Sequence, residues 1–126
     1  MTVEVIVYSP EGIAEYSDLD AAKAANGTTW VRVHEATSEE LRNVASAFDI
    51  HPLAIEDVEN DVRPKTEEYG SYTFTLLKTA ELARGETTFG EEVRTTPIGV
   101  FMGPDWVVSM TGGPDDPVDR AWRAVV

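Results

Sequence analysis

The fold class follows from residues 28–48, whose sequence is TTWVRVHEATSEELRNVASAF. Residues Thr28–Val33 are mostly β-branched or aromatic, which predicts a strand. Thr37-Ser-Glu-Glu40 has the spacing of a capping box, with Thr37 as the N-cap and Glu40 at N3. Apolar residues then recur at helical spacing, at Leu41, Val44, Ala45 and Phe48. A strand followed by a capped amphipathic helix predicts a sheet with helices packed on it.

The flanking segments supply further strands and short helices. On the N-terminal side we expect a strand over residues 3–8, a hairpin partner over Ile13–Tyr16, and a short helix capped by Asp18 that runs to Ala25. On the C-terminal side, Pro52 is suited to N1 of a helix that ends near Glu59. Later elements are a strand over Tyr69–Thr79, a mobile loop over Ala80–Gly90, strands over Val93–Met102 and Trp106–Thr111, and a helix with Asp116 as N-cap and Pro117 at N1. The order predicts one domain over residues 1–126, with a mixed sheet in the α/β or α+β class.

Composition limits the classes of protein to which the chain can belong. Its 126 residues include 23 Asp and Glu against 10 Lys and Arg, a net charge of −13, and no cysteine. Disulfides and thiolate chemistry are excluded, and such a negative surface disfavours binding to nucleic acid or to anionic membranes. No apolar run approaches the roughly 20 residues of a membrane span, and no signal peptide is evident, so we expect a soluble intracellular domain. The spread of the acids favours adaptation to a high-salt cytoplasm, and a collection of cation ligands is the alternative.

Catalytic motifs are absent from the sequence. There is no Gly-x-Ser-x-Gly element, and neither His34 nor His51 has a serine at a recognisable spacing, so we predict that the chain is not an enzyme. We interpret His51, which precedes Pro52, as a helix cap or packing residue. The pair Gly112-Gly113 lacks the Lys and Ser/Thr of a phosphate-binding loop.

The densest acidic segment is Glu56-Asp-Val-Glu-Asn-Asp61. Its carboxylates match the first ligand positions of an EF-hand, but Val62 replaces the required glycine and Pro64 interrupts the loop, which excludes that motif. Acids at a helix C-terminus are disfavoured by the helix dipole, which favours a nearby cation. A solvated acidic surface and a hard-cation site built from one or two carboxylates both remain open.

Residues 51–69 also carry a family resemblance. His51-Pro-Leu-Ala-Ile-Glu-Asp-Val-Glu-Asn60, followed by Arg63-Pro-Lys65 and Glu67-Glu-Tyr69, closely resembles the cytoplasmic N-terminal domain of CorA-type magnesium channels. The Thr-Trp-Val strand at 29–31 and the final strand pair before a helix agree with it. Arg32 departs from the family pattern, in which an acid or another polar residue is often found.

The resemblance implies an α/β/α sandwich below the membrane in a homopentameric channel for Mg²⁺ and often Co²⁺ or Ni²⁺. It implies that Asp57 contributes to a weak regulatory Mg²⁺ site between subunits and that Glu56 helps to form a second site nearby. The partner acid, the stalk and the membrane helices would then lie beyond Val126, in agreement with a terminal helix that has no C-cap. The alternatives are a domain of a related zinc transporter and a free-standing metal-binding or scaffold domain.

Overall fold

A computed structural model describes residues 3–60, 62–84, 91–111 and 116–126, with side chains for all of these except 81–84 and 91–94. The seven strands are β1 (Val3–Ser9), β2 (Gly12–Tyr16), β3 (Thr28–His34), β4 (Lys65–Glu68), β5 (Thr73–Arg84), β6 (Glu91–Met102) and β7 (Trp106–Thr111). The four helices are α1 (Leu19–Ala24), α2 (Ser38–Phe48), α3 (Pro52–Glu59) and α4 (Asp119–Val125). No helix among these described elements has the length and apolar character needed to cross a membrane.

The strands form one mixed sheet in the order β2-β1-β3-β7-β6-β5-β4. The central pair, β3 and β7, is parallel, and every other neighbouring pair is antiparallel. The chain crosses from β3 through α2, α3 and the three strands of the far half before it returns as β7 beside β3. This long crossover places α3 over the β4–β5–β6 half of the sheet, where it contacts β5 and β6.

One face of the sheet, here called the α1–α3 face, carries the main core. In register across the centre, Val5, Val31 and Val108 point to this face and are 5%, 0% and 0% exposed. They pack with buried residues of the three helices, namely Ala22, Val44, Phe48, Ala54 and Val58. In these central strands every second side chain therefore points into the core of the α1–α3 face, which explains the apolar residues at Val5, Val31 and Val108.

The opposite face, here called the α4 face, is covered over β1 and β3 by α4. The Trp122 ring meets the Trp30 ring edge to face, with centroids 4.8 Å apart, and Ile6 on the same face is only 1% exposed. Helices on both faces of a mixed sheet make an α/β/α sandwich, as the resemblance implies. The fold prediction is confirmed.

Most local predictions hold because they depend on capping groups. The Asp18 carboxylate accepts from the Asp20 N–H at 3.1 Å, and Thr37 and Glu40 form the complete capping box. Helix α3 spans Pro52–Glu59 with proline at its start, as predicted.

Three boundaries differ from the prediction. Strand β4 was not predicted, and residues 69–72 form a turn and not the start of a strand, because Tyr69 N–H donates to the Tyr72 carbonyl. Part of the predicted loop at residues 80–84 belongs to β5, because it pairs with residues 91–95; residues 85–90 lie outside the described residues. Val118, and not Asp116, is the N-cap of α4; Asp116 Oδ1 instead accepts from the Val118 N–H at 3.2 Å, just before the helix.

Candidate metal site

The acidic segment lies on α3, whose N-terminus is fixed to the sheet by a histidine and a tyrosine. His51 is the N-cap, and its Nδ1 accepts from the Leu53 N–H at 3.1 Å. The His51 N–H donates to the Tyr72 hydroxyl at 2.9 Å, which ties the helix to the start of β5. His51 is therefore a helix cap, as the sequence analysis predicts.

The inner surface of α3 lies close to β6. Ala54 and Val58 are 0% and 3% exposed, and a Cβ added to Gly99 would lie 2.4 Å from Val58 Cγ2. A side chain at Gly99 would require Val58 or its helix to shift, so glycine permits this close contact. With Val58 turned inward, Glu56 is exposed and Asp57 is half-buried at the edge of the helix.

Asp57 is paired with a lysine from β4. Lys65 Nζ lies 2.5 Å from Asp57 Oδ2 and also contacts the Glu67 carboxylate. Hydrogen bonds to Asp57 and then to Glu67 raise the pKa of Lys65 above its ordinary value, because both carboxylates favour the charged ammonium. The cation that the helix-dipole argument favours near these acids is, in this structure, Lys65.

A chain of contacts continues from Lys65 back to the N-terminus of α3. The Tyr69 hydroxyl donates to Glu67 Oε2 at 3.3 Å, and the Tyr69 ring stacks on Tyr72 with centroids 5.1 Å apart. Burial, followed by the neighbouring Glu67 charge, raises the pKa of Tyr69. Because the Tyr72 hydroxyl accepts from the His51 N–H and Lys65 contacts Asp57, both ends of α3 are attached to the β4–β5 part of the sheet.

The two predicted ligands are adjacent in the chain but form an incomplete donor set. Among the described residues, no partner contacts the Glu56 carboxylate, and no group of three or more potential ligands comes together. Asp61, the last acid of the segment, lies outside the described residues. Mg²⁺ commonly keeps several waters and binds through one or two carboxylates, so Glu56 and Asp57 fit a hydrated ion and do not fit a closed cage.

Sequence reasoning did not identify a second charged cluster, on the α4 face around Arg32. The guanidinium contacts Asp116, lies 2.9 Å from Asp119 Oδ1 and 3.5 Å from Glu4 Oε1, and its Cζ is 5.5 Å from the centre of the Trp122 ring. Burial is the largest single influence on the pKa of Arg32 and lowers it, but the hydrogen bonds to Asp116 and Asp119 and the charges of Asp116 and Glu4 together outweigh burial and raise the pKa. Two signals were present in the sequence at this position, an arginine between the apolar residues Val31 and Val33 and its departure from the family pattern, and neither identifies its partners.

Comparison with known proteins identifies the family that this chain resembles. A family model described as "CorA-like Mg2+ transporter protein" matches residues 25–125. The cobalt/magnesium transport protein CorA of Thermotoga maritima is 31% identical over 83 residues, which cover 60% of this chain and 24% of that protein.

Solved structures show the same fold. The complete CorA magnesium transporter of Methanocaldococcus jannaschii superposes with a TM-score of 0.73 and 12% identity, over 99% of this chain and 37% of that one. The ZntB cytoplasmic domain of Vibrio parahaemolyticus gives a TM-score of 0.64 and 12% identity, over 98% of this chain and 49% of that one. The chain thus spans less than half of each of these proteins.

The family match covers most of the chain and includes the entire segment that carries His51, Glu56, Asp57 and Lys65. It describes transporters and not enzymes, in agreement with the prediction that the chain is not an enzyme. This chain belongs to the CorA-like Mg²⁺ transporter family.

Proposed function

We propose that this chain is the cytoplasmic Mg²⁺-sensing domain of a divalent cation channel, with a regulatory site at Asp57 assisted by Glu56. The observation that carries the proposal is the incomplete donor set at the accessible end of α3. Glu56 is exposed without a described partner, and the Asp57 side chain is 24% exposed. Such a pair can take part in a site that a neighbouring molecule completes.

The proposed mode of action follows from electrostatics. In a homopentamer anchored through helices outside this chain, Asp57 would face an acid of the adjacent subunit across the interface. Mg²⁺ between the two carboxylates offsets their mutual repulsion, which is added to that of a domain with a net charge of −13. Occupancy would therefore favour the closed assembly, and loss of the ion would favour its loosening.

Limited proteolysis of the full-length protein across a Mg²⁺ titration tests the proposal. Asp57→Asn preserves shape and removes one charge, so the Mg²⁺ concentration at the protection midpoint should rise several-fold, about 1 kcal/mol of lost stabilisation. Glu59→Gln is the matched control, because it removes one charge from an exposed position on the same helix. An unchanged midpoint in Asp57→Asn, or an equal shift in Glu59→Gln, would refute a specific site at Asp57.

The transported ion is a separate part of the proposal. Mg²⁺, with Co²⁺ as further cargo, is favoured by the sequence relative named for cobalt and magnesium transport, and Ni²⁺ is added by the family resemblance alone. A related zinc transporter is the alternative, because the fold is shared between the CorA and ZntB structures and does not select the ion. Uptake of each metal by cells that express the full-length protein would distinguish the two.

A further inference from the structure

Lys65 has two carboxylate partners, so its ammonium can lose one of them and still remain in an ion pair. Its ammonium contacts Asp57 on α3 and Glu67 on its own strand. Glu67 is held in place by the Tyr69 hydroxyl at 3.3 Å. If Asp57 turned to another cation, Lys65 would keep Glu67 as a partner, so its charge would not be left unpaired.

The position of Lys65 is fixed by the sheet and does not depend on a flexible surface loop. Lys65 pairs in register with Leu76 of β5, which is 0% exposed. The register directs the Lys65 side chain to the α1–α3 face, beneath the end of α3. The ammonium is therefore held close to Asp57 at a high effective concentration, because both residues belong to a rigid frame.

We propose that Lys65 is a tethered cation that competes with divalent metal ions for the Asp57 carboxylate and thereby lowers the metal affinity of the site. The inference rests on the proposed function, since it takes Asp57 as a metal ligand. It adds an antagonist from this chain itself, which the resemblance does not imply.

The competition follows from distance and charge. An ammonium 2.5 Å from Asp57 Oδ2 occupies the space that a hydrated ion or its inner water would need at that oxygen. The two cations also repel each other, so the binding of one at the Asp57 carboxylate weakens the binding of the other. A divalent ion gains more than a monovalent one from the additional charge of Glu56, so it can displace Lys65 at sufficient concentration. The site would then respond to high and not to trace metal concentrations.

The test uses Mn²⁺, a hard divalent cation whose paramagnetism broadens amide signals even when binding is weak. Titration of the ¹⁵N-labelled 126-residue chain reports the Mn²⁺ concentration that half-broadens the amides of residues 56–58. In Lys65→Met, which keeps length and removes charge, this concentration should fall at least about threefold. In Lys65→Arg, which keeps the charge, it should remain near the wild-type value.

Arg120→Met is the matched control for net charge. Arg120 is exposed on α4, on the opposite face of the sheet from α3, so its loss should not change broadening at residues 56–58. The amide spectrum of each variant shows directly whether its fold is retained. Where Lys65→Met disturbs the fold, Lys65→Gln takes its place and carries the same expectation.

Three results would overturn the inference, and the first two separate it from the proposed function. If Asp57→Asn abolishes the broadening but Lys65→Met leaves the half-broadening concentration unchanged, Asp57 is a ligand and Lys65 is not its competitor. If neither wild type nor Lys65→Met shows broadening that depends on Asp57, the chain alone holds no metal ion at Asp57 and the competition is refuted, while the site shared between subunits is judged by proteolysis of the full-length protein. If the half-broadening concentration falls as much in Arg120→Met as in Lys65→Met, the effect arises from the net charge of the chain and not from the position of Lys65.

Discussion

Arg32 should contribute more to stability than an ordinary surface ion pair, and a double-mutant cycle with Asp116 measures this. The side chains of Arg32 and Asp116 are 11% and 16% exposed, so solvent screens their contact weakly. Hydrogen bonds between charged groups contribute about 1.5–3 kcal/mol each, whereas exposed ion pairs contribute about 0.2–1 kcal/mol.

The single change Arg32→Met loses the contacts with Asp116 and Asp119 and leaves both carboxylates beside an apolar side chain. The substitution also removes an unfavourable group, because Arg32 Nε is buried without a hydrogen-bond partner among the described residues. This gain in stability offsets part of the loss. We therefore expect the free energy of unfolding to fall by about 2 kcal/mol. Asp116→Asn keeps the oxygen that accepts from Val118 N–H, so it removes the charge without removing the turn.

The cycle comprises wild type, Arg32→Met, Asp116→Asn and the double variant, each unfolded in urea. We expect a coupling energy of about 1.5 kcal/mol with an unchanged slope against urea concentration. Arg120→Met, an exposed change on α4, should stay within about 0.5 kcal/mol of wild type. A coupling energy below about 0.5 kcal/mol would place the Arg32–Asp116 contact among ordinary surface pairs and refute the reasoning.

Two further predictions concern solution conditions. The pKa values of Tyr69 and Lys65 are raised in the folded protein, so both groups contribute stability that is complete below their unfolded pKa values near pH 10 and is lost as pH rises through the folded values. Tm should therefore fall above about pH 10, and it should fall less steeply in Tyr69→Phe. An identical profile of Tm against pH in the variant would contradict this. If the net charge of −13 reflects adaptation to high salt, Tm should rise through molar KCl as carboxylate repulsion is screened, and a Tm that is flat or falls with salt would exclude it.

The parts of the fold that the sequence predicts are those set by local chemistry. The capping box at Thr37 and the proline at the start of α3 act within one helical turn, so the bounds of α2 and α3 follow from a few neighbouring residues. Strand β4 has the sequence Lys-Thr-Glu-Glu, with no apolar alternation, and it is a strand because it pairs with β5. No local pattern encodes that pairing.

The candidate site also combines residues that the sequence identifies with contacts that only the tertiary structure determines. Glu56 and Asp57 were identified from the motif, and that assignment remains a prediction. The contact between Asp57 and Lys65 depends on how the chain reverses after α3 and on the register of β4, which are tertiary features. Arg32 was noted as a departure from the family pattern, but its partners, Asp116 and Asp119, lie more than eighty residues away in the chain.

The two charged clusters differ in how readily their ion pairs can exchange. Arg32 is nearly enclosed, and its loss would leave the half-buried Asp116 without its cation, while Asp119 keeps Arg123 at 2.8 Å, so the contact with Asp116 can break only with a large cost. Lys65 is 31% exposed and shares its charge between Asp57 and Glu67, so release of Asp57 leaves one pair intact and admits water to the other carboxylate. An incoming cation can therefore replace Lys65 at Asp57 without unfolding any element, whereas no cation could replace Arg32 in that way. Under the proposed function, this asymmetry predicts that a change of ion occupancy acts at the end of α3, while the contact between α4 and the sheet stays fixed.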